Sequence, residues 1–169
     1  VAQLAGAFVA SLLLLAIFGT GNNLGSPVIG PGFSRDTAFA YEIIGSTILF
    51  FVYLYIIWKL PQKTFKRWAA IPIGFTYLIL ASIGAFISSA SFNWWRHLGP
   101  ISISNTFNVN IDWIWYVGPI IGAIIALILF VGFWYIINMK DIEEEEEEEE
   151  KKEGAMFKGN YYVPKSNSK

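Results

Sequence analysis

Ser88 to Pro100 reads SSASFNWWRHLGP, and Trp113 to Phe130, one polar connection later, reads WIWYVGPIIGAIIALILF. The first stretch ends an apolar segment with small and hydroxyl residues. It then places Asn93, two tryptophans and Arg96 within four positions. An arginine this close to an apolar segment is costly unless it meets water or backbone carbonyls. A plain helix does not explain the pattern. Either Arg96 reaches up to the headgroups while Glu42 makes a local hydrogen bond, or the two support a polar path through the bundle.

Four long apolar stretches surround this segment. Val1–Gly19, Ala69–Ser89 and Trp113–Ile137 carry no charge, and Ala38–Trp58 carries only Glu42. Each is long enough for the roughly 20 residues that cross ~30 Å of hydrocarbon. None has the charged stripe that a helix on a soluble core needs. Helices are therefore expected over about 1–19, 38–58, 69–89 and 113–137. The first is not read as a signal peptide, since it lacks a basic leading region.

Composition agrees. Of 169 residues, 54% are hydrophobic and 15% charged, with a mean hydropathy of +0.48. A soluble domain carries about a quarter charged residues. A soluble enzyme and a nucleic-acid binder are thereby disfavoured. With no cysteine there is no disulfide framework and no thiolate metal site. No Gly-rich phosphate loop or metal-spaced cluster occurs, so no metal and no cofactor is expected. The lone histidine, His97, reads as a hydrogen-bonding surface group.

The charges are segregated. Up to Ile137 there are six basic and three acidic residues; beyond it, six lysines face ten acids, eight of them in the run Glu143–Glu150. Residues 138–169 are expected to be an acidic disordered tail, because adjacent glutamates repel and bury nothing. The connection KLPQKTFKR, Lys59–Arg67, holds four basic residues, which places it in the cytoplasm by the positive-inside rule. The tail is then cytoplasmic as well.

These stretches together resemble the second half of the aquaporin, or major intrinsic protein, family. There a small-residue run, Asn-Pro-Ala-Arg, Gly-Pro, a loop and Trp-Ile-x-Trp-Val-Gly-Pro-x-x-Gly follow in order. AFAYEIIGSTILFF (38–51) looks like the family's fourth helix and VAQLAGAFVASLLLLAIFG (1–19) like its third. The likeness covers about residues 1–137. It implies an all-α integral membrane fold, an aquaporin-like bundle of helices with a re-entrant half-helix and a re-entrant loop over about 88–100, whose irregular backbone is tolerated because it lines a wet cavity. The N-terminal part, the first two helices and the first half-helix, is then missing. The opening on Val1 suits that reading.

The resemblance also implies roles. Asn93 would orient a passing oxygen, and carbonyls around Ser88–Ser91 would accept along the path. Arg96 would be the filter cation, with Ala90 and Ala81 at two further filter positions. Glu42 would brace the loop by accepting backbone N–H bonds. Trp94 and Trp95 stand where Pro and Ala are expected. The small Ala81 and Ala90 point to solutes larger than water, while Trp115 and Tyr116 point to water, so both permeants stay open.

The expected function is a passive channel for water or small uncharged solutes such as glycerol, not an enzyme, in a homotetramer within a lipid bilayer. The alternative is a non-conducting member with a structural or adhesion role, its pore blocked by Trp94 and Trp95. A membrane enzyme would need clustered ionisable groups at depth, and only Glu42 lies there.

Overall fold

The computed structural model describes residues 1–19 and 23–160, the side chains of 65–66, 141, 144 and 153–160 excepted. Among them the secondary structure is entirely helical: α1 Ala2–Phe18, a short turn Asn23–Gly25, α2 Arg35–Lys59, α3 Gln62–Trp68, α4 Ala70–Gly84, α5 Trp94–Ser104, α6 Val109–Asp112 and α7 Ile114–Asn160. The fold is the expected all-α membrane class with a half-helix, α5, set between α4 and α7. Two compact units divide the chain, Val1–Phe130 and Val131–Lys169.

Helix lengths follow from local chemistry. α2 begins three residues before the apolar run because Ser34 caps it, its hydroxyl accepting from the Thr37 N–H at 3.1 Å. Asp36 in its first turn and Lys59 in its last suit the helix dipole. The basic connection is not an open loop: Lys63 and Arg67 lie on α3. Pro72 explains the break at Ala69 between α3 and α4. Its ring conflicts with the carbonyl four residues back, that of Trp68, and it offers no N–H. At 15 residues α4 is shorter than expected, because the chain unwinds after Gly84 into an extended strap. α1 has 17 residues, so α2 and α7 are the two described helices that meet a spanning length by themselves.

Packing in the first unit depends on small residues. A Cβ on Gly118 would lie 2.8 Å from the Glu42 Cβ, and one on Gly122 would lie 2.6 Å from the Ile43 carbonyl oxygen. The Gly-x-x-x-Gly face of α7 is therefore where α2 approaches, backbone against backbone. α5 meets α1 in the same way at Gly99, whose Cβ would crowd Ala7. The outward surfaces are apolar, with Leu12, Leu13, Phe75, Leu78 and Ile128 all exposed. That suits helices whose solvent is lipid.

In the second unit the structure departs from the expected disordered tail. The acidic run is helical, and α7 continues through it to Asn160. Lys151 and Lys152 pair with Glu147 and Glu148 one turn back, at 3.1 and 3.3 Å, which offsets part of the repulsion. Residues 161–169 of the expected tail lie outside the described residues.

Candidate functional site

The strap joining α4 to α5 is conformationally costly. Ser89, Ala90 and Phe92 have φ of 63°, 45° and 49°, left-handed values that side chains disfavour. Such residues cost about 1–3 kcal/mol each and persist only when their surroundings fix them. Glu42, wholly buried on α2, supplies the fixing. Its Oε1 accepts from the Ser88 hydroxyl at 2.7 Å and the Ser91 N–H at 2.9 Å, and its Oε2 accepts from the Phe92 N–H at 2.8 Å. Hydrogen bonds to a carboxylate are about twice as strong as neutral ones. Two of the strap carbonyls are occupied by the protein itself. Ser88 O accepts from the Trp115 indole at 2.9 Å and Ala90 O from the Tyr77 hydroxyl at 3.3 Å. Those two carbonyls therefore hold the strap in place, which differs from the expected row of open acceptors.

Asn93 follows and caps α5, its Oδ1 accepting from the Trp95 N–H at 3.0 Å. That bond commits the carbonyl end of the side chain, so the group Asn93 has to offer a passing molecule is its NH₂ donor. Two cavities meet at Asn93. One, of about 360 Å³, is lined by Asn93, Arg96, Gln3, Leu24 and Gly25 among others. The second, about 600 Å³, takes in Asn93, Gln3, Trp94, Tyr53, Tyr77 and Phe92. Arg96 is half-buried, and its Nη1 donates to the Gly25 carbonyl at 3.0 Å, so the cation is held by backbone across the first cavity. Trp94, 44% exposed, forms part of the second cavity's wall, and Trp95 lies half-buried with its ring 5.1 Å away.

The structure thus brings Asn93, Arg96 and Trp94 to the walls of two neighbouring cavities and holds Glu42 behind the strap. Ala90 and Ala81 are not among the residues that line these two cavities. Ala90 is buried in a cluster with Leu80 and Phe92, and Ala81 packs against that cluster. Gln3 borders both cavities and was missed in the sequence. Its signal was slight: one of two polar side chains in the first 18 residues.

His97 requires a correction. It is not a surface group but wholly buried, stacked on the Trp115 ring at 4.9 Å and 25° and meeting the Tyr116 ring edge at 5.3 Å. Its Nε2 lies 3.4 Å from Asp112 Oδ1, and neither ring nitrogen makes an aligned hydrogen bond. The reason is positional. One residue beyond Arg96 on a helix points about 100° away, into the α6–α7 junction instead of the cavity.

Chemically, the site offers a fixed cation, a helix N-terminus and amide donors beside apolar walls. Cations are disfavoured where Arg96 and the α5 N-terminus face. Among the described residues no group of three or more His, Asp or Glu could hold a metal ion.

A family profile described as "Major intrinsic protein" matches residues 1–130. The chain is similar to Aquaporin A of Dictyostelium discoideum, 31% identical over 64% of this chain and 38% of that relative. It is similar to Nodulin-26 of Glycine max, 32% identical over 73% of this chain and 44% of the relative. Aquaporin-8 of Botryotinia fuckeliana is 29% identical over 78% of this chain and 39% of its own length. The chain spans less than half the length of each of these relatives.

Proposed function

The chain belongs to the major intrinsic protein family, integral multi-pass membrane proteins, and from that premise we propose that it forms part of a passive channel for water and small uncharged solutes such as glycerol. The observation that carries the reading is the shared cavity of Asn93 and Arg96 on the first turn of α5. A solute passing there sheds water and meets replacement donors from the Asn93 amide and the Arg96 guanidinium. A cation or proton meets the fixed charge of Arg96 and the positive end of α5, held where a low-dielectric wall strengthens both. Glu42 acts by position, keeping the strap and hence Asn93 at a fixed depth. The protein moves solute down its gradient and makes or breaks no bond.

The basic residues of Lys59–Arg67 support a cytoplasmic position for that segment, and with it for the acidic end of α7. We assign a homotetramer as the working assembly, on the likeness to the family.

A second reading has its own observation. Trp94 and Trp95 present two indoles where a smaller pair is expected, and Trp94 lines the second cavity. In that reading the protein is a non-conducting member with a structural role.

Osmotic swelling of proteoliposomes containing the full-length protein separates the two. Fast swelling of the unmodified protein is the expected result. Swelling only in the Trp94→Pro, Trp95→Ala double variant would give the structural reading the lead. In a conducting protein, Arg96→Val is expected to admit ions or protons; intact exclusion in that variant would overturn the filter role of Arg96.

A further inference from the structure

Arg96 and His97 are consecutive, yet they reach different neighbours. Arg96 reaches the Gly25 carbonyl beyond α1, at 3.0 Å. His97 reaches the α6–α7 junction, where it is wholly buried. Three groups surround its ring. The Asp112 carboxylate on α6 lies 3.4 Å from Nε2, the Trp115 indole stacks on one face, and the Tyr116 ring stands edge-on. Asp112 is itself fixed, since its Oδ2 accepts from the Asn108 N–H. Trp115 is fixed by its bond to Ser88 O. The charged and titratable groups near the imidazole are therefore Asp112, Tyr116 and, on its own helix, Arg96.

A buried imidazole with no aligned partner is an expensive way to fill space, since an apolar ring would avoid the desolvation. Its neighbours suggest what it does instead. α5 is a half-helix with one end in the strap, and its first turn carries both cavity-lining residues, Asn93 and Arg96. Glu42 fixes the strap from one side; His97 ties the same turn to the segment that leads into α7.

We propose that His97 is a positioning residue for the cavity that Asn93 and Arg96 line: wedged between the Asp112 carboxylate and the Trp115 indole, it fixes the first turn of α5 so that the Arg96 guanidinium keeps its place against the Gly25 carbonyl. The inference rests on the channel reading above and deepens it. Solute selectivity is then set partly by a residue that does not line the path. Imidazole supplies two features that matter here, a flat face for Trp115 and a polar nitrogen 3.4 Å from Asp112 Oδ1. A glutamine amide retains the second feature and alanine neither.

The test uses full-length protein in proteoliposomes, with water, urea and glycerol permeation measured for the unmodified protein, His97→Ala, His97→Gln and Asp112→Asn. His97→Ala is expected to raise the glycerol-to-water ratio by about fivefold, since the Trp115 stacking and the polar contact with Asp112 are both lost. His97→Gln is expected to restore most of the original ratio, and Asp112→Asn to shift it in the direction of His97→Ala. An unchanged ratio in His97→Ala overturns the proposal, and so does a ratio in His97→Gln as disturbed as in alanine. If His97→Ala fails to fold, Asp112→Asn against His97→Gln decides by the same ratio.

A second readout needs no conduction. His97 is the only histidine, so imidazole NMR reports it alone. Asp112→Asn is expected to displace its ring resonances and its titration; unmoved signals overturn the proposal. Should no variant conduct, the channel reading has failed, and the NMR arm still judges the His97–Asp112 contact.

Discussion

The strap and first turn of α5, residues 88–97, and the acidic run of α7, residues 143–150, hold much of the polarity in this apolar chain, and they handle it in opposite ways. In the strap each of four buried or half-buried polar side chains, Ser88, Asn93, Arg96 and the facing Glu42, has a partner distant in sequence or a cap within α5. In the acidic run the described side chains, those of Glu143 and Glu145–Glu150, are exposed, and the ion pairs involving it reach one helical turn. The first region needs tertiary structure because its backbone is strained and its donors are out of water. The second needs only its own helix and the surrounding solvent. Loss of a partner is therefore expensive in one region and nearly silent in the other.

That contrast breaks first at Glu42. Glu42→Ala removes the acceptor of three buried donors, each costing about 1–3 kcal/mol when left unmade. We expect loss of folded protein, read as a collapsed thermal transition in detergent. Glu42→Gln should fall between alanine and the unmodified protein, because one carbonyl oxygen remains. A Glu42→Ala protein as stable as the original would remove the strap's dependence on α2.

The next effect lies where α7 meets α2. Gly118→Val places a Cβ 2.8 Å from that of Glu42, and overpacking of this kind costs about 1–3 kcal/mol. Lowered thermal stability together with slower swelling is expected, since the displaced group is the brace itself. Stability lost with swelling rate intact would show that brace and helix contact are independent.

Asn93→Ala sharpens the comparison within the strap. Removing the cap costs about 1 kcal/mol, while the cavity loses its amide donor. A modest fall in stability with a large fall in permeation is the expected pair. Equal falls in both would reduce Asn93 to a cap. The smallest effect belongs to the acidic run. Lys151→Ala with Lys152→Ala should change stability by only a few tenths of a kcal/mol per pair, with circular dichroism helicity nearly unchanged. A marked loss of helicity would mean that the run depends on its ion pairs as strongly as the strap depends on Glu42.

The fold class was readable from the sequence because a lipid solvent imposes a simple rule. Uncharged runs of sufficient length become helices whether or not a partner is known. Glu42 and Arg96 could be singled out because ionisable groups at membrane depth are rare, and the order of motifs placed Asn93 between them. The end of α4 was less legible. Ala85–Ile87 are as apolar as the helix before them, and the unwinding reflects where Glu42 holds the strap. The helical continuation through Glu143–Glu150 was misjudged because repulsion was weighed without the lysines one turn on.

The sequence alone determined that this is an all-α membrane chain with an irregular, arginine-bearing segment, because hydropathy and charge are additive along a chain. Only the tertiary structure decided that Glu42 carries three strap donors, that Arg96 rests on the Gly25 carbonyl, and that His97 turns inward to Asp112. Those facts depend on pairs of residues 15 to 71 positions apart. Such pairs are chosen by helix packing and by the cost of leaving buried polar groups unpaired, and neither is a property of any one stretch of sequence.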